Sequence, residues 1–215
     1  MELVAVVKAV LFDLDGTLLD TRRLILESFR YAYRLHLERE VTTQEIMAFW
    51  GQPLMVQFQQ VAPEKAELLR EAYQEFNLKN HAALVTVFPG VLEVLEALQR
   101  RSLPLAIVTS KARRTVTHGL ELFGLAKYFP VVITTDDVSN FKPHPEPVEK
   151  ALARLGVPPG EALMIGDNDS DILAGKAAGT RTAAALWGTW RPEALWAANA
   201  DYYLEKVTNI LGLLH

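Results

Sequence analysis

Two aspartates one residue apart, Asp13 and Asp15, leave the end of a hydrophobic run, Val10-Leu11-Phe12, and are followed by Gly16-Thr17-Leu18. In an extended chain residues i and i+2 point the same way, so both carboxylates face one side. Two such charges about 4 Å apart repel by about 4 kcal/mol at an effective dielectric of about 20. A chain does not gather them at a strand end for stability, so a cation, a proton or chemistry must account for the pair. Three other stretches carry groups of matching chemistry: Thr109-Ser110-Lys111, Asp136-Asp137 with Lys142-Pro143, and Gly166-Asp167-Asn168-Asp169-Ser170-Asp171.

Brought together, Asp13, Asp15, Asp167 and Asp171 form an all-oxygen donor set, which suits a hard cation. Few carboxylates with open positions point to Mg²⁺, which keeps waters and binds phosphate oxygens; no calcium-loop spacing is present. Thr109, Ser110 and Lys142 supply a hydroxyl, backbone amides at a helix start and an ammonium, the parts of a phosphate cradle. A phosphoryl group held between such an ion and Lys142, with a carboxylate in line, is set up for transfer. A carboxylate nucleophile would form an aspartyl-phosphate, and the second carboxylate could protonate the leaving group and then deprotonate water.

The elements that must position these groups are legible as alternating patterns. A strand is expected over residues 6–13, then apolar residues Leu24, Ile25, Phe29, Ala32, Tyr33 and Leu37 recur at helical spacing over 21–40. Thr42 with Glu45 reads as a capping box for a helix over 45–50, broken by Gly51-Gln52-Pro53; further helices follow over 54–61 and 63–81. Beyond Phe88-Pro89-Gly90, helices over 91–101, 112–123, 145–155 and 170–178 alternate with strands over 103–109, 131–134, 162–165 and 181–186. Two short helices are expected over 191–198 and 206–213. This is an α/β fold, a Rossmann-like parallel sheet flanked by helices with an all-helical insertion after the first strand. Functional groups of open parallel sheets gather at the carboxyl ends of strands, and each stretch above stands at one.

The constellation resembles the haloacid dehalogenase (HAD) superfamily of phosphotransferases over essentially the whole chain. Asp13-Leu14-Asp15-Gly16-Thr17 matches its first motif, Thr109 the second, Lys142-Pro143 the third, and Gly166-Asp167 through Asp171 the fourth. The resemblance implies a core of residues 1–18 and 86–215 and a helical cap of the C1 class over 19–85. It implies that Asp13 is the nucleophile and Asp15 the general acid/base. Mg²⁺ would be held by Asp13, Asp167, the Asp15 backbone carbonyl, and Asp171 directly or through water. An Asp at position 15 implies phosphatase or phosphomutase chemistry rather than dehalogenation.

Within the superfamily the chain resembles phosphoglycolate phosphatases, and more closely bacterial inorganic pyrophosphatases of the PpaX type. Gly51-Gln52-Pro53-Leu54, Pro63-Glu64-Lys65-Ala66-Glu67, Glu75-Phe76-Asn77, Leu84-Val85-Thr86 and Lys142-Pro143-His144-Pro145-Glu146-Pro147 are among the stretches that carry this likeness. Pyrophosphate hydrolysis is the implied activity, with phosphoglycolate or another small phosphomonoester as the alternative. A phosphomutase would need cap groups that suppress water attack, and none is identified. A non-catalytic binding module would not require all four motifs.

Composition sets the outer limits. With 215 residues, 50% hydrophobic and 22% charged, the chain can bury one sizeable core and a satellite. A net charge of −4 and no basic stripe argue against nucleic acid. No apolar run reaches 18 residues, so no membrane span is expected. Lys8 interrupts the apolar start and no small-residue cleavage site follows, so no signal peptide is expected. Without cysteine, disulfides and thiolate sites are excluded and cytoplasm is the default. Oligomeric state has no signal. Gly51, Gln52, Arg22 and Arg23 are candidate cap contacts, and Trp187, Trp190, Trp196, Tyr202 and Tyr203 read as packing groups near the carboxyl end. The charges along residues 63–79 read as a solvated face, His144 as a loop residue, and Asp136 and Asp137 as turn or cap groups.

Overall fold

The computed structural model describes residues 7–214. The expected strand start at Val6 lies outside them. β1 (Ala9–Phe12) has every residue buried, as a strand with neighbours on both edges and helices on both faces must. It lies between β4 (Leu105–Val108) and β6 (Ala162–Gly166), both parallel to it. β5 (Val131–Ile133) extends the sheet beyond β4. β7 (Arg181–Ala185) and then β8 (Tyr202–Leu204) extend it beyond β6, giving the order β5-β4-β1-β6-β7-β8. The parallel sheet flanked by helices agrees with the expected class. β8 is not among the expected strands, because it is a three-residue edge strand, two half-buried tyrosines and a buried leucine, too short to show alternation.

Alternation along β1 builds the two layers. Val10 and Phe12 enter a core covered by α5 (Val91–Arg100), α6 (Arg113–Leu122) and a carboxyl-terminal 3₁₀ helix, Val207–Leu213. Ala9 and Leu11 enter the opposite core, covered by α7 (Glu146–Leu155) and α8 (Asp169–Ala177). Each fully buried Leu or Phe contributes about 1.5–3 kcal/mol through area removed from water. α9 (Pro192–Ala197) packs outside β7 through Leu195.

Four helices leave the sheet after β1: α1 (Arg22–Leu37), α2 (Thr43–Met47), α3 (Leu54–Val61) and α4 (Ala66–Leu84). They have a separate aromatic core in which Phe29 meets Tyr33, Phe58 and Tyr73 edge-on, with ring centroids 5.0–6.3 Å apart. The Thr42–Glu45 capping box forms: the Glu45 amide donates to Thr42 Oγ1 at 3.2 Å and the Thr42 amide to Glu45 Oε2 at 2.8 Å. The chain enters and leaves this block through a two-stranded antiparallel ribbon, β2 (Leu19–Asp20) with β3 (Thr86–Val87). No helix among the described residues is long and apolar enough to cross a membrane.

The aromatic groups near the carboxyl end depart in part from expectation. Trp196 on α9 stacks on Tyr203 of β8 at 4.0 Å, as packing groups would. Trp190 instead stacks on Trp50 of the helical block, because the loop after β7 runs against the loop after β1, where Trp187 and Gly188 meet Thr17 and Gly16.

Candidate active site

The carboxyl end of β1 delivers Asp13, whose amide continues the ladder by donating to the Ile165 carbonyl at 2.9 Å. Leu14 turns back into the core, and its carbonyl accepts the amides of Leu18 and Leu19, which closes the loop tightly. Gly16 sits at φ +81, a left-handed conformation, and a Cβ there would lie 2.2 Å from Asp167 Oδ2. Only glycine lets the β1 loop pass so close to the end of β6. Thr17 Oγ1 donates to Asp167 Oδ1 at 3.3 Å across the same gap.

Asp13, Asp167 and Asp171 are all buried, with one carboxylate oxygen from each lying within 4.8 Å of the others. Lys142, on the loop before α7, is their counter-charge. Its Nζ donates to Asp13 Oδ1 at 2.8 Å, to the Val108 carbonyl at 2.9 Å and to Asp171 Oδ1 at 2.5 Å. Its three donors are all engaged, so contact with a phosphate would exchange one of them. Asp171 Oδ2 also accepts the Asn168 amide at 3.1 Å, completing the amino-terminal cap of α8. Asp171 is thus tied both to Lys142 and to its own helix.

Burial pushes Asp13 up to about 7, against the pull of Lys142 and with the added repulsion of Asp171. Burial also drives Asp167 well above the usual carboxylate range, with Asp13 and Asp171 adding to it. Burial alone would lower Lys142, but Asp13 and Asp171 outweigh it and hold the ammonium above its ordinary value. With all three ionised, the carboxylates less one ammonium leave a surplus of two negative charges at a buried site. An all-oxygen set with that surplus fits a hard divalent cation. Asp169 is half-buried and does not line the cavity beside these acids.

Asp15 lies on the same side of the loop but outside the cluster. Its Oδ1 accepts from Lys111 Nζ at 2.8 Å, a contact from the loop after β4. Thr109 is buried there, its amide donating to the Ile133 carbonyl at 3.0 Å, and Ser110 follows it at the cavity wall. Asp136 and Asp137 face elsewhere: Asp136 caps the Arg113 amide, and Asp137 pairs with Arg113 and Arg154. They tie α6 and α7 to the end of β5. His144 Nδ1 accepts the Glu146 amide, a local turn contact.

A cavity of about 420 Å³ lies over these groups, bounded below by Asp13, Asp15, Thr109, Ser110, Lys111, Lys142, Asp167 and Asp171. The helical block bounds it above with Trp50, Gly51, Gln52, Gln57, Arg70, Tyr73, Gln74 and Asn77. Gly51, at φ +87, brings the block against the core: a Cβ on it would lie 2.9 Å from Asn168 Oδ1. Gln57 Nε2 donates to the Gln52 carbonyl at 2.8 Å and so shapes that loop. Asn77 is fully buried, and its Oδ1 has no partner among the described residues.

Gly51 and Gln52 therefore stand where expected. Arg22 and Arg23 do not: Arg22 pairs with Asp20, and both arginines line a separate recess beside the ribbon. Arg70 is the arginine that lines the cavity, although the charges of its helix read as a solvated face. It holds Glu67 and also donates to Gln74 Oε1 at 3.0 Å. A signal existed in the spacing: residues 70, 73, 74, 77 and 81 fall at i, i+3, i+4, i+7 and i+11, one face of a helix. Their polarity hid it.

A profile of the haloacid dehalogenase-like hydrolases matches residues 10–185. The chain is 44% identical over 208 residues to a Pyrophosphatase PpaX of Anoxybacillus flavithermus, covering 97% of each chain. It is 43% identical over 208 residues to a Pyrophosphatase PpaX of Bacillus pumilus, covering 97% of this chain and 96% of that one. A solved structure described as a predicted phosphoglycolate phosphatase from Haemophilus somnus matches in fold at 23% identity. Its TM-score is 0.90, over 97% of this chain and 98% of that one.

Proposed function

The chain belongs to the haloacid dehalogenase-like hydrolases, and from that premise we propose that it cleaves inorganic pyrophosphate to two phosphates through an aspartyl-phosphate. The observation that carries this reading is the placing of cations around the cavity. Lys142 serves the buried acids, while Lys111 from the sheet and Arg70 from the helical block are set to meet a second phosphate. Relatives 44% and 43% identical that bear the name pyrophosphatase support it.

In this reading residues 19–85 act as a cap over a core of 1–18 and 86–215, working in the cytoplasm. Asp13 attacks the nearer phosphorus, and the bridging P–O bond breaks as Asp15 gives its proton to the departing phosphate. Asp15 then takes a proton from water, the water oxygen bonds to phosphorus, and the P–O bond to Asp13 breaks. Thr109, Ser110 and Lys142 hold the phosphoryl oxygens. The carboxylates of Asp13, Asp167 and Asp171 and the Asp15 backbone carbonyl would hold Mg²⁺, which when bound supplies charge neutralisation at the transferring group. The cap excludes water and limits substrate to small phosphorylated molecules.

One feature favours a second reading: the cavity is roomier than two phosphate groups require. Phosphoglycolate or another small phosphomonoester would fit it. Phosphate release from pyrophosphate, phosphoglycolate and glucose 6-phosphate, each with Mg²⁺ and with EDTA, decides between them. Pyrophosphate is expected to give the highest kcat/KM, abolished by EDTA. Preference for phosphoglycolate would replace the first reading with the second. No metal-dependent release from any substrate would leave a binding module.

A further inference from the structure

The loop between β7 and α9 has no part in the chemistry above, yet it touches both halves of the site. On one side Trp187 Nε1 donates to the Thr17 carbonyl at 3.0 Å. The next residue, Gly188, packs backbone to backbone on the β1 loop: a Cβ there would lie 1.6 Å from the Gly16 carbonyl oxygen and 2.9 Å from its Cα. No side chain could stand at that position without moving Gly16, which is itself wedged against Asp167. On the other side Trp190 lies flat on Trp50, with ring centroids 5.0 Å apart and planes 13° apart. Trp50 immediately precedes Gly51, the point where the helical block presses on Asn168. Trp190 Nε1 is buried with no partner among the described residues, so stacking rather than hydrogen bonding seats this ring.

We propose that Trp187-Gly188-Thr189-Trp190 is a clasp that joins closure of the helical block to the placement of the Asp13–Thr17 loop. The Trp50–Trp190 stack holds the block down over the acids. Trp187 and Gly188 pass that closed state to Gly16 and Thr17 through a hydrogen bond and a direct backbone contact. These are positioning residues, since none touches the acids. The proposal borrows from the hydrolase reading only the assay used for its kinetic arm.

The test uses the full chain and five variants, with inorganic phosphate as the probe. Two stacked indoles give a coupled pair of bands in circular dichroism. That couplet is expected in the wild type, strengthened by phosphate, and lost equally in Trp50→Phe and Trp190→Phe. On the best phosphate substrate found, Trp190→Ala should raise KM about 5–10-fold with kcat within twofold. Gly188→Ala should lower kcat about 10–100-fold with KM within threefold and an unchanged couplet. Trp187→Phe, which keeps shape and removes only the donor to Thr17, should lower kcat about 3–10-fold; it serves if Gly188→Ala does not fold. A couplet that survives either phenylalanine variant overturns the clasp. So does an unchanged kcat in both Trp187→Phe and any folded Gly188→Ala. If the wild type turns over phosphoglycolate instead of pyrophosphate, the clasp is tested on that substrate.

Discussion

The carboxyl ends of the strands and the helical block meet across one cavity but are built on opposite plans. At the strand ends the candidate groups are held by backbone register or by close partners: Asp13 by the β1–β6 ladder, Lys142 by three acceptors, Asp171 by Lys142 and the Asn168 amide. The block offers amides, a phenol and a single arginine beside apolar side chains such as Leu54, Met55 and Val56, over an aromatic core. Rigid charge belongs where bonds are made and broken, because electrostatic help works best when preorganised. Adaptable polar groups belong where a substrate is chosen. The comparison predicts that damage at the strand ends removes chemistry or folding, while damage in the block redistributes affinity.

The strongest test of that division is Asp13→Asn, which should lower phosphate release by about 10⁴-fold or more while leaving far-UV circular dichroism unchanged. Residual turnover near the wild-type rate would move the nucleophile elsewhere. Next comes Lys142→Met. It strands Asp13 and Asp171 as buried acids without a counter-charge, and should cost about 3–5 kcal/mol in urea unfolding besides abolishing turnover. A stability within 1 kcal/mol of wild type (about the size of a single ordinary hydrogen bond) would show that the acids neutralise themselves by taking up protons.

The seam between the two regions gives a smaller effect. His81 on α4 packs against His118 and Gly119 of α6, fully buried, with neither ring nitrogen partnered among the described residues. Burial, with Lys111 and His118 adding to it and Asp15 opposing, pushes it down to about 4. In the unfolded chain it titrates near its ordinary value of about 6.5. The unfolded state therefore binds the extra proton first, and stability present above pH 6.5 is lost as pH falls from there through 4. Between pH 7 and 5 the wild type should lose about 2 kcal/mol more than His81→Leu, read from unfolding midpoints. Parallel curves for the two would place His81 in contact with water.

Smallest is Arg70→Ala, in the block. KM for pyrophosphate should rise about tenfold, near 1.4 kcal/mol, with kcat little changed. KM for p-nitrophenyl phosphate, which has no second phosphate, should stay put. An equal loss on both substrates would make Arg70 a structural partner of Glu67 and Gln74 instead.

The same division governs how much the sequence reveals. Asp13, Asp15, Thr109 and Asp167 are legible because each follows closely on an apolar strand, with Lys142 and Asp171 on the loop and helix beyond, and a parallel sheet must bring such ends together. The block's contribution is harder to read. Arg70 and Asn77 lie on an ordinary amphipathic helix, and nothing local says which polar face meets solvent and which meets a cavity. The ribbon Leu19–Asp20 with Thr86–Val87 is two residues deep, too short for any alternation to register. Gly188 and Trp190 carry no motif at all; their partners, Gly16 and Trp50, are distant in the chain and are found only by folding it.

That short ribbon has a consequence beyond this chain's own chemistry. Because Leu19 pairs with Val87 and Asp20 with Thr86, the outgoing and returning backbones stand side by side beyond the carboxyl end of β1. Whatever is spliced between them leaves from and comes back to nearly the same point. Descendants could exchange or lengthen the insert while the strand ends stayed in register, so that new specificities could be tried without rebuilding the catalyst.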